Sequence, residues 1–361
     1  MKWKSPIKTS ELLMLRLPAP RWSSSLERRL RALEPGGILL AGPLPGSPET
    51  LSELLGNISR CLPVPPILAL ESEGGGKDPL NALLPPLSPP RALAHKGAQF
   101  VRLAGELVGE ALKLLGFDTH FALTLDLTSE DTLEELGGRI YIEDPQIVAE
   151  AGAAYVEGLT WHKILACAKH FPGLGGVLPV PTPSGELPVS GRSMADLWCR
   201  DLVPYRRLLE HLSFVLMSAA SYKAYDFDYP RSAVLSTRVV EGLLRGRNLK
   251  YRGVVVAPQL ESSVVRGALD EGQAAVQALI ASCDMLLVEK DASWQAMCRG
   301  IEAGLASGML PRERLEDSVW RIRTARLISA PKKNPFSKTA WERLVRRYEA
   351  FNPRYREAKR A

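Results

Sequence analysis

The feature that most restricts the fold of this chain is an unbroken alternation of short apolar runs with helix-patterned stretches. Strand-like runs occur at Leu12–Leu17, Gly37–Ala41, Ile67–Glu71, Phe121–Leu127, Cys167–Phe171, Phe214–Ser221, Gly253–Gln259 and Asp284–Glu289. Helical periodicity fills stretches between them, among them Ser25–Leu33, Pro90–Leu115, Pro145–Leu159, Met194–His211, Thr237–Arg245 and Ser262–Ser282. A strand regularly followed by a helix must cross over to reach its neighbour, which makes the strands parallel and the crossovers right-handed. Eight such units in 361 residues fit a closed (β/α)8 barrel of TIM type better than an open sheet. No long polar linker interrupts them, so residues 1–330 are expected to form one α/β domain.

Charge separates the remainder. Residues 331–361 hold ten Lys and Arg against three Glu, a tail of +7, while the whole chain carries +6. Such a tail can attract nucleic acid through counterion release. Trp341, Leu344, Val345, Tyr348 and Phe351 nevertheless recur at helical spacing, which favours a helix docked on the body. The body has no basic excess, so nucleic acid is not expected as a partner. No run of about 18 apolar residues occurs, so no membrane span is expected. The N-terminal stretch MKWKSPIKTSELLMLRL lacks the apolar region and cleavage site of a secretory signal, giving an expectation of a cytoplasmic protein. Cys61, Cys167, Cys199, Cys283 and Cys298 are odd in number, scattered and free of any CxxC, which argues against disulfides and zinc. No metal or cofactor is expected. The EGGG of Glu73–Gly76 lacks the Lys-Ser/Thr that would complete a phosphate loop.

Two connections stand out. Asn81–Leu93 follows the third strand and is rich in Pro; Pro172–Gly191 follows the fifth and is rich in Pro and Gly. In a barrel both lie on the C-terminal face, where active sites are built. At the fifth strand the chain reads CAKHFPG (Cys167–Gly173), and Ala-Lys-His-Phe-Pro-Gly resembles the signature of family 3 glycoside hydrolases, in particular the bacterial exo-β-N-acetylglucosaminidases. Further segments resemble that family in its own order: PGGILL (Pro35–Leu40), ESEGGG (Glu71–Gly76), HFALTLDL (His120–Leu127), GRIYIEDPQIV (Gly138–Val148), LMSAASYKAYDFDYPRSAVLST (Leu216–Thr237) and GMLPRERLEDSVWRI (Gly308–Ile322).

The resemblance implies a sugar site at the barrel mouth and shows what has changed in it. A retaining glycosidase needs a nucleophile on one face of the scissile bond and an acid/base on the other. In the resembled family the nucleophile is the first Asp of a Ser-Asp-Asp-Leu segment ending the seventh strand; here the segment is Ala257-Pro258-Gln259-Leu260. The acid/base is a His in an Asp-Ser-His motif on the loop after the fifth strand. The histidines of this chain stand at 95, 120, 162, 170 and 211, outside 172–191. Thr182 and Ser184 are the nearest equivalents, and their hydroxyls cannot act as acids near neutral pH. Leu174 replaces the His of the family's Gly-His-Gly. Gly76 replaces an Arg, and Ala220 replaces the His of Met-Thr-Ala-His. No residue is therefore assigned to catalysis by the resemblance.

Part of the sugar-holding set is retained. Lys169 and His170 match the family's Lys-His pair, Arg139 its arginine, and Glu71 stands where an Asp grips ring hydroxyls. The alternative for Lys169 and His170 is a buried polar support of the mouth; for Arg139 it is pairing with Asp144. Asp126 reads as structural.

Three functions stay open. The first is a catalytically inactive homologue that binds a glycan fragment, such as an amino sugar, or a protein partner. The second is an active hydrolase of O-glycosyl bonds with relocated carboxylates, Glu186 as acid and Glu261 or Glu289 as nucleophile, with Glu73 also near the mouth. The third is a structural or regulatory protein whose pocket has closed.

Overall fold

The computed structural model describes residues 7–18, 21–127, 144–178, 186–329 and 336–351. Its centre is a closed barrel of eight parallel strands, taken in ring order β1 (Leu13–Pro18), β2 (Gly37–Ala41), β3 (Ile67–Glu71), β4 (Thr119–Thr124), β5 (Leu165–Phe171), β8 (Phe214–Met217), β10 (Val254–Ala257) and β11 (Met285–Val288). The ring closes where Leu13, Met14 and Leu15 of β1 pair with Leu286, Leu287 and Val288 of β11. Nearly every strand residue is buried, because helices cover the outside and side chains fill the inside. Phe121 and Phe214 meet in the core with ring centroids 5.9 Å apart.

The helices start where the sequence supplies caps. Ser23 and Ser47 each accept a backbone N–H of the first turn, from Leu26 and Thr50. Asp144 accepts from the N–H groups of Gln146 at 2.7 Å and Ile147 at 3.3 Å, with Pro145 at the first helical position. Several expected helices are broken. Pro90–Leu115 divides into Pro90–His95 and Ala98–Leu115 at Gly97, whose φ of 99° only glycine takes up readily. Ser262–Ser282 divides into Ser263–Arg266 and Glu271–Ile280 after Gly267, at φ 62°. Met194–His211 holds a π-helical turn, Leu197–Asp201, and Arg238–Leu244 is π-helical throughout. The fourth strand lies two to three residues earlier than its apolar run suggests, because Leu125–Leu127 already belong to the loop.

Three elements lie outside the ring. Val177–Leu178 (β6), Val189–Ser190 (β7) and Ser221–Tyr222 (β9) form a small sheet beside the mouth. The helix Lys338–Phe351 buries Trp341, Leu344 and Tyr348, stacks Phe351 near Phe100 with centroids 6.3 Å apart, and pairs Arg347 with Glu110. At the opposite end of the barrel, fully buried Asp284 accepts hydrogen bonds from Val255 N–H, Ser318, Arg314 and Arg321 at 2.9–3.0 Å and pairs with Arg245. No helix among the described residues is long and apolar enough to cross a membrane.

Candidate functional site

The C-terminal ends of the strands bring together an ionic layer. Lys169, on β5, points into the barrel and is 1% exposed; its Nζ lies 2.5 Å from Glu73 and 3.3 Å from Glu71. Arg16, on β1, donates to Glu71 at 2.9 Å and to Glu289 at 2.7 Å. Arg16, Glu71 and Lys169 come from the first, third and fifth barrel strands, the alternation by which interior layers of such barrels are filled. An unbroken chain of charge thus runs Glu289–Arg16–Glu71–Lys169–Glu73. Burial would push the Glu71 carboxyl up, but Lys169 and Arg16 beside it outweigh this and hold it below the usual range. Burial would draw the Lys169 ammonium down, and Glu73 and Glu71 hold it up instead. Glu71 and Lys169 are therefore both ionised at neutral pH.

His170 follows on the same strand, where the ladder to β8 is interrupted between Lys169 and Phe171. The irregularity turns successive side chains toward different neighbours. Asp126, completely buried, holds this histidine: one carboxylate oxygen accepts from His170 N at 3.2 Å and Leu174 N at 2.8 Å, and the other lies 2.8 Å from His170 Nδ1. The Lys169–His170 and Phe171–Pro172 peptide bonds are both cis.

The remaining candidates fall into separate roles. Pro258 is buried at the end of β10, and Gln259 is exposed with φ 61°. Glu261 is half-buried and accepts from the backbone N–H of Glu289 at 3.2 Å and of Lys290 at 2.9 Å. It caps the helix Asp291–Ala306, which has no side-chain cap of its own. Glu186 is exposed at the far side of the loop. Gly76 is exposed, and Ala220 is 2% exposed. Arg139, Thr182 and Ser184 lie outside the described residues, so the pairing of Arg139 with Asp144 does too.

The loop after β5 is pinned at its base. The β6–β7 pair joins β9, Arg192 pairs with Asp201 at 2.5 Å and donates to Gly175 O at 2.9 Å, and Tyr222 donates to Gly173 O at 2.7 Å. A Cβ on Gly175 would lie 1.9 Å from Leu127 O, so the loop can pass there only as glycine. Burial pushes the Asp201 carboxyl up to about 6 even with Arg192 alongside.

Arg16 was not among the residues expected at the site. The signal lay in its setting: LMLRLP is a strand of a doubly covered sheet, and a lone arginine there needs partners. No group of three or more His, Cys, Asp or Glu able to hold a metal occurs among the described residues.

A family model, the glycosyl hydrolase family 3 N-terminal domain, matches residues 8–325. A beta-hexosaminidase of Alkalilimnicola ehrlichii is 30% identical over 353 residues, 94% of this chain and 96% of that one. A beta-hexosaminidase of Nitrosomonas eutropha is 30% identical over 264 residues, 71% of this chain and 74% of that one. Among solved structures, a glycoside hydrolase family 3 beta-N-acetylglucosaminidase from Paenibacillus sp. superposes with a TM-score of 0.80 at 24% identity, over 96% of this chain and 69% of that one. That last likeness is one of fold.

Proposed function

Because this chain belongs to glycosyl hydrolase family 3, we propose that its barrel mouth binds the end of a glycan without cutting it. The observation that carries this reading is the end of the seventh barrel strand. Pro258 there has no nucleophilic atom, and the amide of Gln259 is not one either. Retaining hydrolysis needs a carboxylate or its equivalent at that place and an acid opposite. The carboxylates nearby have other partners: Glu261 caps a helix, Glu289 and Glu71 hold Arg16, and Glu73 holds Lys169. Arg16, Glu71, Glu289 and His170 all have partly exposed side chains carrying the polar groups that hydroxyl-rich ligands need. Five free cysteines suit a reducing compartment, and we place the protein in the cytoplasm.

The test is hydrolysis of an aryl β-N-acetylglucosaminide and an aryl β-glucoside by highly purified protein, followed by calorimetry with the corresponding methyl glycosides. The expected result is binding without turnover. Turnover that survives purification and disappears in Glu261→Gln or Glu186→Gln would overturn the reading in favour of relocated carboxylates.

A second reading, a closed mouth with a purely structural role, is favoured by one observation, the near-complete burial of Lys169 between two carboxylates. Absence of binding for every glycoside would support it.

A further inference from the structure

We infer that a cleft in the loop after β9, separate from the charged layer at the mouth, binds an uncharged sugar ring between Asp226, Arg231 and Tyr229. The inference goes beyond the reading of the mouth and does not depend on it.

The loop is tied down at its base and at its tip. A bridge between Ser221 and Ser232 closes its two ends. Ser221 Oγ accepts from Arg231 N at 3.2 Å, and Ser232 Oγ donates to Ala219 O at 2.6 Å. The backbone N–H groups of Tyr225 and Asp226 both turn back to Tyr222 O, at 2.9 and 3.0 Å. Arg238, which opens the π-helical segment beyond the loop, donates to Tyr225 O at 3.0 Å and lays its guanidinium over the Phe227 ring, 5.5 Å from the centroid. A ligand that entered here would meet a shape already formed.

Asp226, Asp228, Tyr229, Arg231, Thr237 and Arg238 enclose about 300 Å³, the lower end of the range of small-molecule sites. The observation that points to a ligand is Asp226. It is only 9% exposed, yet its Oδ2 has no hydrogen-bond partner among the described residues. A buried carboxylate oxygen left without a donor is costly, and a ligand that supplied one would recover that cost. The second observation is aromatic. Tyr229 and Phe227, adjacent along the loop to Asp228, are each 73% exposed, so flat apolar faces stand open beside this acceptor.

Charge then narrows the class. Two carboxylates and two guanidinium groups line the cleft, and their formal charges cancel. Arg238 pairs loosely with Asp228 at 3.7 Å, with both side chains more than half exposed. A cation would face two arginines and an anion two aspartates, so neither sign is favoured. An uncharged ligand has to donate to Asp226 and accept from Arg231. Neighbouring hydroxyls of a pyranose do both, because each hydroxyl is donor and acceptor at once. The C–H face of the same ring is apolar and suits the open face of Tyr229.

The experiment is fluorine NMR on the full chain labelled with 3-fluorotyrosine, with the Tyr229 signal among the nine tyrosines assigned by its loss in Tyr229→Phe. Methyl β-D-glucoside is the neutral probe; glucuronate and glucosamine are the charged ones. The glucoside is expected to shift the Tyr229 signal saturably. Asp226→Asn should weaken that response about tenfold, the scale of one hydrogen bond to a charged group. Arg231→Ala, at an exposed position, should weaken it about threefold. A Tyr229 signal that no sugar moves would overturn the inference and leave the reading of the mouth standing. An affinity unchanged in both variants, or tighter binding of either charged sugar, would overturn it as well.

Discussion

Lys169 shows how much a single side chain decides in this barrel. It is a buried cation satisfied by Glu73 and Glu71, and a buried pair broken on one side leaves an uncompensated charge. Glu73→Ala and Lys169→Met each break the pair on one side, so both are expected to lower unfolding stability by about 3–5 kcal/mol, whereas the double variant Glu73→Leu/Lys169→Met, which removes the pair together, should recover most of that loss. Urea midpoints of the three variants check this, and losses that simply add in the double variant would contradict it. The sequence showed a Lys-His pair at the end of a strand but not which partners it would meet. Glu73 was visible as a carboxylate near the mouth, Arg16 as a charge inside an apolar strand, and Asp126 as the end of an apolar run. What joined them was the ring order of the strands, which places β1, β3 and β5 side chains in one layer. Residue spacing along the chain carries no record of that.

Among the elements, strands were more legible than helices. All eight barrel strands contain or adjoin the apolar runs that marked them, because burial on both faces leaves a near-continuous hydrophobic signature. Helices were found in the right places but not at full length. Periodicity does not register a single residue such as Gly97 or Gly267 that turns the backbone to positive φ and ends one helix so that another can begin. The same limit applies to π-helical turns, whose apolar positions differ from the α pattern by one residue in five. The helix Lys338–Phe351 gives an element-scale expectation. Trp341 is 6% exposed and packs against Phe336, so Trp341→Ala should cost about 3–5 kcal/mol if the helix unfolds together with the barrel. A first transition of small amplitude in the denaturant curve, with the main midpoint unchanged, would show instead that this helix detaches by itself.

At the scale of the whole molecule, stability depends on where protons sit. Burial pushes the Asp118 carboxyl up to about 7, although Leu68 N–H and the Thr119 hydroxyl donate to it. The folded state then binds this proton more tightly than the unfolded chain, so its contribution is present below about pH 4 and is lost as pH rises to 7. His120 works the other way: burial draws it down to about 3, giving a contribution present above about pH 6.5 and lost as pH falls toward 3. Asp118→Asn should therefore gain about 2–4 kcal/mol relative to the parent between pH 4 and pH 8. Denaturant midpoints across that range test the sign; a parallel pair of curves would remove Asp118 as the cause. The ring closure has a different kind of consequence. β1 can pair with β11 only when residues 285–288 exist, and the Glu11–Arg323 bond spans 312 positions of sequence. Because both edges of the open sheet stay unpaired until then, the nascent chain leaves the ribosome with its first strands waiting for its last. Closure of the barrel therefore has to wait for its last strand, and chaperone dependence during synthesis is expected to persist until that strand and Arg323 have emerged.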